Sequence, residues 1–174
     1  TTTYKVVVSN GSCKDSDTVV VAVKPAPLTY AGNDKIICQG DSVQLNVTGA
    51  DYYRWNNKLY LNDTTIGNPW ARPLFTHTFI VTGYSVFGCS RNDTITVNVV
   101  PKVKVTAGAD TGFCRGGNVQ LKATPTGTSV VSWYPNYKIS STTSTQPVVN
   151  PDVDTTYYVV VNNGICSDTA RVRV

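Results

Sequence analysis

The chain has 174 residues, with one histidine and no methionine, no glutamate and little leucine or alanine. A single histidine and the lack of any Cys-x-x-Cys pair leave a zinc site short of ligands. There is no Gly-rich phosphate loop, no Gly-x-Ser-x-Gly elbow and no His-x-x-x-His pair. An enzyme needs acid, base or nucleophile groups that converge, so no catalytic residue, cofactor or metal is expected. No run approaches the roughly 18 apolar residues of a membrane helix, and direct membrane insertion is not expected. Charge of one sign is also scarce. Lys plus Arg is 15, Asp plus Glu is 11, and the net charge of +4 is spread along the chain, which argues against a nucleic-acid partner. The opening Thr1–Asn10 has no basic region followed by a long apolar one, so an export signal is expected outside this stretch.

Valine and threonine dominate instead, with 27 and 24 copies. Side chains branched at Cβ are stiff at χ1 and suit a pleated surface better than a helix. No segment sustains a 3.6-residue period, so the chain reads as all-β.

An internal repeat organises it. Ala31-Gly32-Asn33-Asp34 through Cys38, Gly40, Val43, Gln44 and Leu45 recurs as Ala107-Gly108-Ala109-Asp110 through Cys114, Gly116, Val119, Gln120 and Leu121, an offset of 76. Trp55 then matches Trp133, Pro69 and Pro73 match Pro147 and Pro151, Cys89 matches Cys166, and Asp93-Thr94 matches Asp168-Thr169. Thr3 to Val8, Cys13 and Asp17-Thr18-Val19 match the end of a repeat. The expected organisation is residues 1–24 as the closing hairpin of a preceding repeat, then full repeats at 25–100 and 101–174. The joints carry proline, which cannot extend a central ladder. About seven short strands per repeat, with period-two alternation as in Ser42 to Val47 and a tryptophan as core anchor, point to tandem immunoglobulin-like β-sandwiches.

Two cysteine pairings obey the repeat. Cys38 with Cys89 and Cys114 with Cys166 would each close a loop of about 50 residues, worth roughly 4 kcal/mol in the chain-entropy model. That would leave Cys13 a partner upstream. Cys13 with Cys38 and Cys89 with Cys114 is the rival, which leaves Cys166 alone. The proline joints between the rival partners favour the first. Disulfides imply a compartment outside the cytosol.

The residues Ala31-Gly32 with Asp34, Ile37-Cys38, Gly40, Ser42-Val43, Tyr53-Arg54-Trp55, Asn68-Pro69, Thr76 to Phe79 and Gly88-Cys89 with Asp93-Thr94 resemble a known pattern. It is that of the tandem Ig-like or PKD-like repeats of giant surface proteins in Bacteroidota, such as the SprB-type gliding-motility adhesins. The second full repeat keeps Trp133, Asn150-Pro151, Asp154 to Tyr157 and Gly164-Ile165-Cys166. The resemblance implies type IX secretion, a place at the bacterial cell surface, and adhesion or gliding. Its expected partners are neighbouring repeats, surface polysaccharide or further copies in a filament. It also makes Thr18, Ser42, Thr64, Thr94, Thr155 and Thr169, each preceded by Asp, candidate O-glycan acceptors. The same residues also suit turns that open strands.

Other polar candidates are sparse. His77 is unrepeated and reads as a surface residue. Asp34 and Asp110, beside the joints, could serve a Ca²⁺ site only with several more oxygens, so each is expected to bind its own turn. Trp70 faces Val148 in the repeat alignment, is not demanded by the fold, and is the candidate ligand contact. The leading expectation is a structural and adhesive segment of a long extracellular bacterial protein. The alternative is a carbohydrate-binding module of a secreted hydrolase.

Overall fold

A computed structural model describes every residue, Thr1–Val174. It contains strands and no helix: β1 (Thr2–Asn10), β2 (Cys13–Val21), β3 (Lys35–Cys38), β4 (Val43–Gln44), β5 (Tyr52–Trp55), β6 (Trp70–Ala71), β7 (His77–Tyr84), β8 (Ser90–Val100), β9 (Lys104–Ala107), β10 (Val119–Gln120), β11 (Ala123–Thr126), β12 (Val130–Tyr134), β13 (Val148–Val149), β14 (Thr156–Asn162) and β15 (Ser167–Arg173). Two compact units form. The first gathers Thr1–Asn33, Gln44–Ala71 and Phe79–Ile95, and the second gathers Asp34–Val43, Arg72–Thr78 and Thr96–Val174.

The second unit shows the architecture most fully. β12, β14 and β15 form one antiparallel sheet, while β9 pairs with β11 and β10 with β13. Seven short strands, three of them in one antiparallel sheet, fit an immunoglobulin-like sandwich. Alternation decides what is buried. Tyr157, Val159 and Val161 on β14 are fully buried, while Tyr158 and Val160 between them are half-buried. They meet Leu121, Ala123, Val149 and Trp133 in one core. The Trp133 indole N–H donates to Ser144 O at 2.8 Å, so the buried ring leaves no polar atom unsatisfied.

The first unit repeats the device. Trp55 on β5 is buried and donates Nε1–H to Ile66 O at 3.0 Å, again 11 residues on. Leu45, Val47, Phe79, Val81 and Ile95 are buried apolar residues of the same unit. Gly49 has φ +86°, and a Cβ there would lie 1.9 Å from Leu28 O, so only glycine fits.

β1 and β2 form a two-stranded hairpin in this unit, with Tyr4 opposite Val19. Every residue of both strands is exposed. Their counterparts by sequence are not: Phe79 and Tyr157 match Tyr4, Val81 and Val159 match Val6, and all four are fully buried. The hairpin thus exposes side chains whose sequence counterparts elsewhere are core residues.

Candidate functional site, a clasp at Cys38 and Cys166

β3 runs parallel to the end of β8, with Lys35 opposite Val97 and Cys38 opposite Val100. Ile37 points inward and is buried. The ladder continues past the strand, because Gln39 N–H donates to Val100 O at 2.8 Å. Arg72 Nε–H donates to Gly40 O at 3.0 Å, and Val99 N–H donates to Thr76 Oγ1 at 3.0 Å. These bonds hold Cys38 at one defined place, where it is disulfide-bonded to Cys166 with Cα atoms 5.8 Å apart. Cys166 is buried, and its Sγ lies 3.8 Å from Val100 O. Beside the bond, Lys102 Nζ meets Asp41 Oδ1 at 2.8 Å. Both are about half exposed, so this ion pair is worth at most about 1 kcal/mol. All these residues belong to the second unit.

This bond corrects the within-repeat pairing. Cys114 and Cys166 lie near opposite ends of β15: Thr111 N–H bonds Arg173 O at its far end, whereas Cys166 precedes Ser167. At roughly 3.3 Å per residue, the seven residues of β15 put about 23 Å between those ends. A disulfide tolerates about 7 Å. The eleven residues of β8 lie likewise between Cys89, before its start, and Val100, the partner of Cys38. The rival pairing is not formed either, since Cys13, Cys89 and Cys114 are free.

The joint aspartates also depart from expectation. Asp34 Oδ1 accepts from Thr96 N–H, and Asp110 Oδ1 from Arg173 N–H, each at 2.8 Å. They bind strands 62 and 63 residues away, not their own turns. Asp93 Oδ2 accepts from Ala31 N–H at 2.8 Å and Asp168 Oδ2 from Val105 N–H at 2.9 Å. Each repeat therefore ties its first and last segments together with two carboxylates. Such charge-assisted bonds are stronger than neutral ones.

The other sequence candidates do not converge on one place. Thr18, Ser42, Thr94 and Thr169 are exposed, while Thr64 and Thr155 are half-buried. Thr155 Oγ1–H already donates to Val153 O at 2.8 Å. Trp70 lies on β6, which pairs with β4, and its residue is 49% exposed. His77 opens β7 and is half-buried. Sequence reasoning missed the Asp41–Lys102 pair. Its positions hold Gly117 and Ala26 in the neighbouring copies, so the repeat gave no signal for it.

No family model matches the chain, and no curated protein matches it. Solved structures that do match contain immunoglobulin domains. The insect immune protein hemolin aligns over 98% of this chain and 55% of its own, at 12% identity and a TM-score of 0.45. The N-terminal four Ig domains of Dscam1 isoform 9.44 align over 91% of this chain and 49% of theirs, at 10% identity and a TM-score of 0.40. The two Ig domains of DIP-gamma align over 85% and 96%, at 12% and 0.40. This chain spans about half the length of the Dscam1 and hemolin structures it matches.

Proposed function

We propose that the chain is a tension-bearing segment of a tandem array in an extracellular bacterial surface protein. The reading divides it into the end of one repeat at 1–24 and full repeats at 25–100 and 101–174. The observation that supports it best is the Cys38–Cys166 bond, which joins one repeat to the next covalently, in addition to the backbone at Pro101. A chain pulled from its ends then passes force through the disulfide and shields the polypeptide between the two cysteines. The hairpin of β1 and β2 fits the same array, because its exposed inward face matches buried positions elsewhere.

Adhesion and gliding are the finer part of this reading. Many weakly adhesive repeats on one tether gain avidity by effective concentration, and the type IX route would deliver them to the cell surface. Neighbouring repeats and further copies in a filament are the partners proposed. The Asp-Thr sites that are exposed, Thr18, Thr94 and Thr169, are the glycan acceptors most open to an enzyme. Beads tethered through the two chain ends, under constant tension, test the mechanical role. The tether must stay short in oxidising buffer and lengthen when reductant is added. Polysaccharide contact is the second reading, favoured by the exposed ring of Trp70. Saturable glycan binding that is lost in Trp70→Ala would establish it.

A further inference from the structure

We infer that the Cys38–Cys166 bond is one rung of a running series along the array. The cysteine that ends the early parallel strand of each repeat bonds the hairpin cysteine of the repeat that follows. Cys89 then bonds the early cysteine of the repeat before, and Cys114 bonds the hairpin cysteine of the repeat after. Cys13 follows the rule of Cys89, one repeat earlier. The inference rests on the tandem-array reading and specifies its covalent topology.

Two observations at different places carry it. The first is the seat of Cys89. Its Sγ lies 3.7 Å from Lys24 O, as the bonded Cys166 Sγ lies 3.8 Å from Val100 O. Lys24 and Val100 hold the same repeat position, each followed by proline. In the bonded case, the strand that ends at Val100 has β3 beside it, and β3 delivers Cys38. Cys89 is therefore placed like Cys166, and lacks only an early strand alongside Val21 to Lys24.

The second observation is at the other end. Thr111 matches Lys35, and its N–H donates to Arg173 O at 3.0 Å, which starts the same parallel ladder. Asp110 binds Arg173 N–H as Asp34 binds Thr96 N–H, so Val174 takes the position of Val97. Three residues further, where Val100 stands opposite Cys38, the ladder brings Cys114. One rule thus places all three free cysteines.

Each rung forms when two thiols lose two protons and two electrons. A protein or small-molecule disulfide of the extracytoplasmic space accepts them and leaves as two thiols.

A fusion tests the rule directly. Residues 1–174 are followed by a second copy of residues 22–174, joined so that Ala22 continues from Val174 as it does from Val21. The second Lys24 then lies opposite the first Cys114, with its own Cys89 against it. The monomer is oxidised with glutathione disulfide, alkylated, digested without reduction and mapped by mass spectrometry. The expected result is a linked Cys89–Cys114 peptide together with Cys38–Cys166, with Cys13, one Cys89 and one Cys114 alkylated. Cys114→Ser in the first copy should abolish the new linkage and keep Cys38–Cys166. Complete alkylation of Cys89 and Cys114 while Cys38–Cys166 forms would overturn the inference, as would a Cys38–Cys89 peptide. If the fusion does not fold, the same map on the parent protein decides: Cys89 linked to an upstream repeat supports the series, and Cys89 alkylated or linked to Cys38 overturns it. Neither result depends on adhesion, and the tether measurement tests the mechanical role separately.

Discussion

Tension applied at Thr1 and Val174 meets the disulfide before it meets most of the chain. The bond spans 128 residues of sequence, and an extended chain covers about 3.3–3.6 Å per residue. The length withheld by the bond is therefore about 420–460 Å, minus the 5.8 Å between its Cα atoms. The assay is a magnetic-tweezers tether held above the unfolding force, first oxidised and then reduced. Reduction should add one step of that size. Cys38→Ser should reach the full length with no reductant. Two separate withheld steps of about 170–190 Å each would instead match loops closed within each repeat. That result, or equal lengths in both buffers, would refute the assignment of Cys38 to Cys166.

Four other outcomes follow from the same geometry. Trp133→Ala removes a buried ring and the bond to Ser144 O, and should cost about 3–5 kcal/mol in denaturant unfolding. Gly49→Ala meets both a positive φ and Leu28 O, so it should lower the melting temperature more than Gly88→Ala, where a Cβ meets open space. A single protease cut between Cys38 and Cys166 should leave the chain intact on a non-reducing gel and give two pieces on a reducing one. The Asp152 carboxyl is held below its ordinary pKa by Lys138 and then by Tyr137. Its contribution is present above the unfolded value and fades as pH falls through the lowered one, and NMR titration of Asp152 and of Lys138→Ala should show the shift shrink.

Much of the fold was legible in the residues. An offset of 76 that drifts to 77 or 78 along the repeat showed which tryptophan, proline and cysteine positions correspond, and Trp55 and Trp133 occupy matching core sites with matching hydrogen bonds. Period-two alternation over Ser42 to Val47 put Val43, Leu45 and Val47 on one face, and Leu45 and Val47 are buried. The partner of Cys38 was not legible, because Cys89 and Cys166 differ by one period and a repeat defines equivalent positions without saying which copy a residue touches. The deciding quantity was length along β8 and β15, which sets hairpin and joint at opposite ends of a strand. The aspartate clasps were hidden for a similar reason. A carboxylate beside a glycine reads locally as a turn, whereas Asp34 and Asp110 reach strands more than 60 residues away.

The choice of partner changes what the bond can do. A cysteine pair inside a repeat would limit how far that repeat unfolds, yet leave each proline joint as a single strand of backbone. The Cys38–Cys166 bond instead encloses Pro101, so that two covalent routes connect the chain before it to the chain after it. Breaking the backbone there does not part the chain, and unfolding of the residues between the two cysteines does not lengthen it. The parallel pairing of Lys35–Cys38 with Val97–Val100 supports the bond from the same side, since Cys38 stays at its post as long as those backbone bonds hold. In the tension-bearing array we propose, this second route would matter most at the joints, where proline has removed a backbone donor.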